Sequence, residues 1–104
     1  MEALVVYITA SSEDEAARIA RTLVEAKLAG CVNIVREIRS IYSWQGKIED
    51  EKEVLMIVKT RLELFNAFRA KVLDMHSYSV PEIIAVPIVD GSEEYLKWLK
   101  EVTS

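Results

Sequence analysis

The chain has 104 residues, 51% of them apolar and 29% charged. That reads as a single domain over residues 1–104, with enough apolar content to bury a core and too much for disorder. The net charge of −4 argues against a nucleic-acid partner, which needs a clustered positive face. One cysteine excludes an internal disulfide, and one cysteine with one histidine excludes a Cys/His zinc site within the chain.

Three glycines and two prolines, where average usage would give about twelve, leave little room for long loops. The start, Met1-Glu2-Ala3-Leu4-Val5-Val6-Tyr7, lacks the basic segment and cleavage site of a secretory signal. No apolar run approaches the ~18 residues of a membrane span. The expectation is a cytoplasmic protein with no membrane partner.

Ala3 to Ala10 is an almost unbroken Val- and Ile-rich run, which reads as a strand covered on both faces. Ser11 and Ser12 precede Asp14 and Glu15 at capping-box spacing, with acids in the first turn of a helix. That helix runs from Glu13 to Leu28 on the stripe Ala16, Ile19, Ala20 and Leu23, and Gly30 ends it. Cys31 to Trp44 alternates with period 2. Val32, Ile34, Ile38, Tyr42 and Trp44 share one phase, which predicts a long half-buried strand. Gln45 to Lys52 reads as a polar connection turning at Gly46, and Glu53 to Thr60 as a second continuous apolar strand.

Leu62 to Met75 carries Phe65, Phe68 and Val72 at helical spacing. His76 to Pro81 is a loop, and Glu82 to Val89 a strand that Pro87 confines to a sheet edge. Asp90-Gly91-Ser92 caps a last helix whose apolar face is Tyr95, Trp98, Leu99 and Val102. The order is βαββαβ plus a C-terminal helix, an α+β, ferredoxin-like pattern with the first and third strands central. Both central strands are apolar on both faces, yet two helices cover only one face of such a sheet. A second copy of the chain, or the C-terminal helix, must meet the other.

Several residues could carry chemistry. Glu49, Asp50, Glu51 and Glu53 could hold a hard cation, but without an organised ligand spacing they read as a solvated acidic tip. His76, beside Met75 and near Tyr78 and Glu82, is a donor that suits copper over magnesium or calcium, with modest affinity. Cys31 and His76 could form a nucleophile–base pair, though no other part of that machinery is visible. No phosphate-binding glycine motif is present. Only three side-chain amides occur, at Asn33, Gln45 and Asn66, a habit of thermostable proteins.

Ala29-Gly30-Cys31-Val32-Asn33-Ile34, Ser40 through Glu49, Lys59-Thr60, His76 through Glu82, and Tyr95 through Leu99 resemble the CutA family of divalent-cation tolerance proteins over essentially the whole chain. The resemblance implies a cytoplasmic homotrimer of ferredoxin-like subunits, without catalytic activity, linked to tolerance of divalent metals and of copper especially. No obligatory cofactor is implied. The residues the family pattern marks are Cys31, Tyr42, Trp44, Gly46, Lys59, His76, Tyr78, Pro81, Glu82, Tyr95 and Trp98. His76 is the candidate metal ligand. Cys31, Tyr42, Trp44, Lys59, Tyr78, Glu82 and Trp98 are candidates for a ligand cleft between subunits. The architecture is similar to PII-type signalling trimers, which implies the alternative of a small-molecule sensor.

Overall fold

A computed structural model describes residues 1–104. Ala3–Ala10 forms β1, and Glu13–Glu25 forms α1. Ser12 caps α1 as expected, accepting a hydrogen bond from the Glu15 amide at 3.1 Å. The helix stops earlier than Leu28. Lys27 takes a left-handed conformation (φ 60°), and the amides of Leu28 and Ala29 close back on the Leu23 carbonyl. Gly30 therefore does not end α1. It serves close packing instead: a Cβ there would lie 2.6 Å from Leu99 Cδ1 and 3.2 Å from Val102 Cγ2.

Cys31–Trp44 is β2 and Lys47–Arg61 is β3. The expected polar connection over Gln45 to Lys52 is almost entirely strand. Only Gln45 and Gly46 turn, both at positive φ (50° and 80°), which is the two-residue geometry that matches strand twist. A short 3-10 turn at Leu62–Leu64 leads into α2, Phe65–Met75. Ile83–Pro87 is β4 and Glu93–Val102 is α3. Ser92 sits at the N-cap of α3, with its side chain making no capping bond.

The sheet order is β2-β3-β1-β4, antiparallel throughout. With the helices this is the ferredoxin-like βαββαβ fold with an added C-terminal helix. The apolar strands are central and the Pro87-bearing strand is at an edge, because a proline cannot donate to a second neighbour. Leu4, Val6, Ile8 and Ala10 pair with Thr60, Val58, Met56 and Val54. They face α1 and α2 and build the core with Ile19, Leu23, Phe68 and Val72.

The opposite face carries Val5 and Tyr7 of β1, Leu55 and Ile57 of β3, and Ile84 and Val86 of β4. Their cross-strand pairing places them together. The chain covers this face only in part. Its β1 residues are half-buried rather than enclosed, while Val35, Ile84 and Val86 are exposed. Helix α3 does not lie across it. It docks at one end, where Leu99 is buried beside Gly30 and Arg61 donates to the Thr103 hydroxyl and carbonyl at 2.8 and 2.7 Å.

The single phase expected along β2 is broken. Val35 pairs with Leu55 but Ile38 with Glu53, so two residues of β2 oppose one of β3. This bulge reverses which side chains share a face. Val32 and Ile34 lie with Val58 and Met56 on the helix side. Ile38, Tyr42 and Trp44 lie with Glu53, Glu49 and Lys47 on the other.

Candidate binding cleft

The loop after α2 is pinned by two buried polar side chains, His76 and Glu15. His76 closes α2 through its amide to the Val72 carbonyl, 2.9 Å. Its ring lies against the end of β1, with Nε2 2.7 Å from the Thr9 carbonyl, and Nδ1 accepts the Tyr78 amide at 3.1 Å. A nitrogen that accepts an N–H carries no hydrogen, so Nε2 is the donor to Thr9 and the tautomer is set.

Glu15 completes the pin. Oε1 accepts from the Ser11 amide and hydroxyl, and Oε2 accepts from the Ser77 amide at 2.8 Å. Burial raises the carboxyl pKa, but the hydrogen bonds from Ser77 and Ser11 outweigh it and hold the group at about 2. The capping glutamate of α1 thus also anchors a loop more than sixty positions along the chain.

Beyond this pin, Tyr78 reaches over the sheet and its hydroxyl donates to Glu53 Oε2 at 2.7 Å. Burial, and then that bond to a carboxylate, push the phenol pKa well above its ordinary value. Glu53 is only 7% exposed. Between the loop and the β2–β3 hairpin lies a cleft of about 550 Å³. The strands contribute Thr9, Ser40, Ile41, Tyr42, Trp44 and Glu53 to it, and the loop contributes Tyr78, Ser79, Val80 and Glu82. Tyr42 is held from outside by its own hydroxyl, which donates to Glu51 Oε2 at 3.1 Å.

Of the seven residues expected to share a ligand cleft, four do so: Tyr42, Trp44, Tyr78 and Glu82. The other three gather at the far end of the sheet. Cys31 pairs with Lys59, Asn33 accepts a hydrogen bond from Lys59, and Trp98 lies 3.6 Å from the position a Gly30 Cβ would occupy. At the rise of a strand, Cys31 and Tyr42 are roughly 35 Å apart, so one chain does not build a single cleft from all seven. Tyr95 packs against Trp98 with ring centroids 5.3 Å apart and the ring planes tilted by 45°. Burial first, and then Cys31, raise its phenol pKa.

The sequence reading missed Glu53 as a cleft residue and gave it to a solvated tip. Its signal was its place, directly before the apolar run Val54–Val58, where the period-2 acids Glu49, Glu51 and Glu53 continue into the covered part of β3.

A metal centre on His76 does not fit this geometry. Both ring nitrogens are engaged and the side chain is fully enclosed. Met75, the supposed thioether helper, packs against the core. Nowhere in the chain do three or more His, Cys, Asp or Glu side chains converge as a cation site. Nor do Cys31 and His76 form a nucleophile–base pair. The Cys31 thiol faces Asn33 at 3.9 Å, whereas His76 is tied to Thr9 and Tyr78.

The fold and the cleft together define a class: a ferredoxin-like subunit with a bulged, overlong central hairpin and an aromatic, acidic cleft at its free end. Within that class the chain belongs to the family described as CutA1 divalent ion tolerance protein, whose model matches residues 4–102. It is 50% identical over 99 residues to the divalent-cation tolerance protein CutA of Thermus thermophilus, covering 95% of this chain and 96% of that one. It is 45% identical over 97 residues to the human Protein CutA, covering 93% of this chain but 54% of the human protein. Among solved structures, the periplasmic divalent cation tolerance protein CutA of Archaeoglobus fulgidus superposes with a TM-score of 0.95 at 50% identity, over 98% of this chain and 99% of that one. No helix is long and apolar enough to cross a membrane.

Proposed function

We propose that the protein acts as a non-enzymatic homotrimer in tolerance of divalent cations, copper among them, in the cytoplasm. The uncovered sheet face carries this reading. Val35, Ile84 and Val86 are 40%, 53% and 45% exposed beside half-buried Val5, Tyr7, Leu55 and Ile57, an apolar surface of the kind that marks an association site. Membership in a divalent-ion tolerance family supplies the cation. Assembly would also couple unfolding to dissociation, and together with the amide-poor composition this leads to the expectation of a high unfolding temperature.

Copper, in this reading, is a weakly held cargo rather than a resident cofactor. The free, half-buried Cys31 thiol is the softest donor available to it. The test has two arms on one preparation. Light scattering should give about three times the 11.8 kDa chain mass. Calorimetric copper titration should give the same isotherm for wild type and His76→Ala, because His76 is already engaged. A monomer overturns the assembly; loss of copper binding in His76→Ala returns the metal to the loop.

A second reading, a signalling trimer that binds a small molecule, is favoured by one observation. The cleft beside Tyr78 has the size and the mixture of apolar walls and few polar groups expected of a ligand site.

A further inference from the structure

We propose that the homotrimer closes head to tail, with the Lys59 ammonium of each copy donating to the Glu53 carboxylate of the next. The proposal rests on the trimer reading above and names the contact that gives the ring its direction.

The open face of the sheet is polarised. Glu53, Leu55, Ile57 and Lys59 occupy alternate positions of β3, so all four side chains stand on that face. Val5, Tyr7, Val35, Ile84 and Val86 join the two apolar positions in its middle. The acid marks one end and the amine the other. At the rise of a strand the two lie roughly 20 Å apart, so a chain cannot pair them with each other.

Each charge is poorly met within its own chain. Glu53 is 7% exposed, and its carboxylate receives one hydrogen bond, from the neutral Tyr78 hydroxyl. Half-buried Lys59 donates to the neutral side-chain amide of Asn33. An ion withdrawn from water is costly until a countercharge meets it, and laying another copy on this face withdraws both further. The neighbouring cations are already committed, Arg61 to Thr103 and Glu63, Arg36 to Glu13, Lys52 to Glu37 and Arg39 to Asp50. Lys47 shares the face but belongs to the acidic end itself, two positions from Glu49.

Symmetry then sets the arrangement. A two-fold dimer brings a patch against its own copy, whereas a three-fold ring brings two different patches together. Like ends meeting would set Glu49, Glu51 and Glu53 against the same acids of the neighbour, a repulsive contact. Opposite ends meeting give Glu53 and Lys59 each a countercharge at every interface and leave the apolar middle to be buried between copies.

The test uses the whole chain. Light scattering reports the trimer, and concentration-dependent unfolding in guanidinium chloride gives the association constant of each variant. Glu53→Gln, which keeps an acceptor for Tyr78, and Lys59→Gln should each weaken association about tenfold per interface. The double variant should be no weaker than either single one. Lys59→Arg, which keeps the charge, should stay near wild type. Lys47→Gln should change association equally in the wild-type and Glu53→Gln backgrounds. Where Glu53→Gln does not fold, Glu53→Asp shortens the acid and keeps its charge; it should weaken association in wild type and not in Lys59→Gln. Losses that multiply in the double variant, coupling of Glu53 to Lys47 in place of Lys59, or a Lys59→Arg variant as weak as Lys59→Gln would overturn the pairing and leave the trimer standing. A monomeric wild type overturns both.

Discussion

The two ends of the β2–β3 strand pair are built on different physics. From Cys31 to Val35, β2 lies in a four-stranded sheet, and its partner residues of β3 also pair with β1. There Met56 and Val58 are fully buried under α1 and α2. Beyond the bulge, from Ile38 to Trp44, only two strands remain, with Ile41 and Ile48 at 64% and 76% exposed. A lone two-stranded ribbon is marginal in water. This one extends a molecule whose long axis spans 44 Å. Burial specifies the first half of the hairpin; the second half depends on cross-strand polar pairs and on whatever covers its apolar side chains in the assembly.

The largest contrast should come from one apolar truncation in each half. Phe68 is fully enclosed in the core, so Phe68→Ala should cost about 3–5 kcal/mol in denaturant unfolding. Ile48→Ala should cost less than about 1 kcal/mol, as exposed positions do. A loss at Ile48 comparable to that at Phe68 would show that another copy buries the ribbon, and the comparison would then describe the chain and not the assembly.

The Glu15 pin, which ties the start of α1 to the loop after α2, should fail with acid. In the folded chain the Glu15 carboxyl titrates at about 2 against an ordinary 4.5. Between those values the folded state therefore holds fewer protons than the unfolded one. Its contribution, on the order of 2–3 kcal/mol, is fully present above pH ~4.5 and is lost as pH falls toward 2. Urea midpoints from pH 6 to 2.5 should fall steeply for wild type and more shallowly for Glu15→Gln, which starts lower at neutral pH. Parallel curves would mean that Ser11 and Ser77 do not hold the charge.

What the residues reveal by themselves follows the same division. β1 and the apolar part of β3 are legible because continuous Val, Ile and Met runs have one stable location, the middle of a covered sheet. The Ser12–Glu15 cap is legible because it is local. The bulge between Val35 and Ile38 is not: the pairs Ile34-Val35 and Arg36-Glu37 break the polar–apolar alternation there, but only the register against the partner strand shows that the break is an inserted residue. The length of β3 is hidden for a related reason, since Ile48 to Lys52 is too polar to announce a strand and is held by β2. Of the cleft, Tyr42, Trp44, Tyr78 and Glu82 are recognisable as residue types and by resemblance. Glu53 becomes a site residue only when a tyrosine twenty-five positions away in sequence reaches it. His76 shows the converse. Its type suggests a ligand, while its contacts with Thr9 and Tyr78 make it a loop anchor.

The smallest expected effect lies wholly in the ribbon. Arg39 donates to Asp50 through two nitrogens, at 2.9 and 2.7 Å, diagonally across the strands on the face away from Tyr42. The pair depresses the Asp50 carboxyl pKa and raises that of the guanidinium, yet both side chains stand largely in solvent. Exposed pairs contribute little and are screened by salt. The Arg39→Ala and Asp50→Asn cycle should therefore show a small coupling at low ionic strength. It should vanish near 1 M salt, where the Debye length is about 3 Å. Amide exchange should quicken at Ser40 and Ile41 in either variant and stay unchanged at Val6 and Val58, because the core half does not rely on this contact. A coupling that survives high salt would mean the pair is shielded from solvent, and shielding at that site requires a neighbouring copy lying against the outer face of the ribbon.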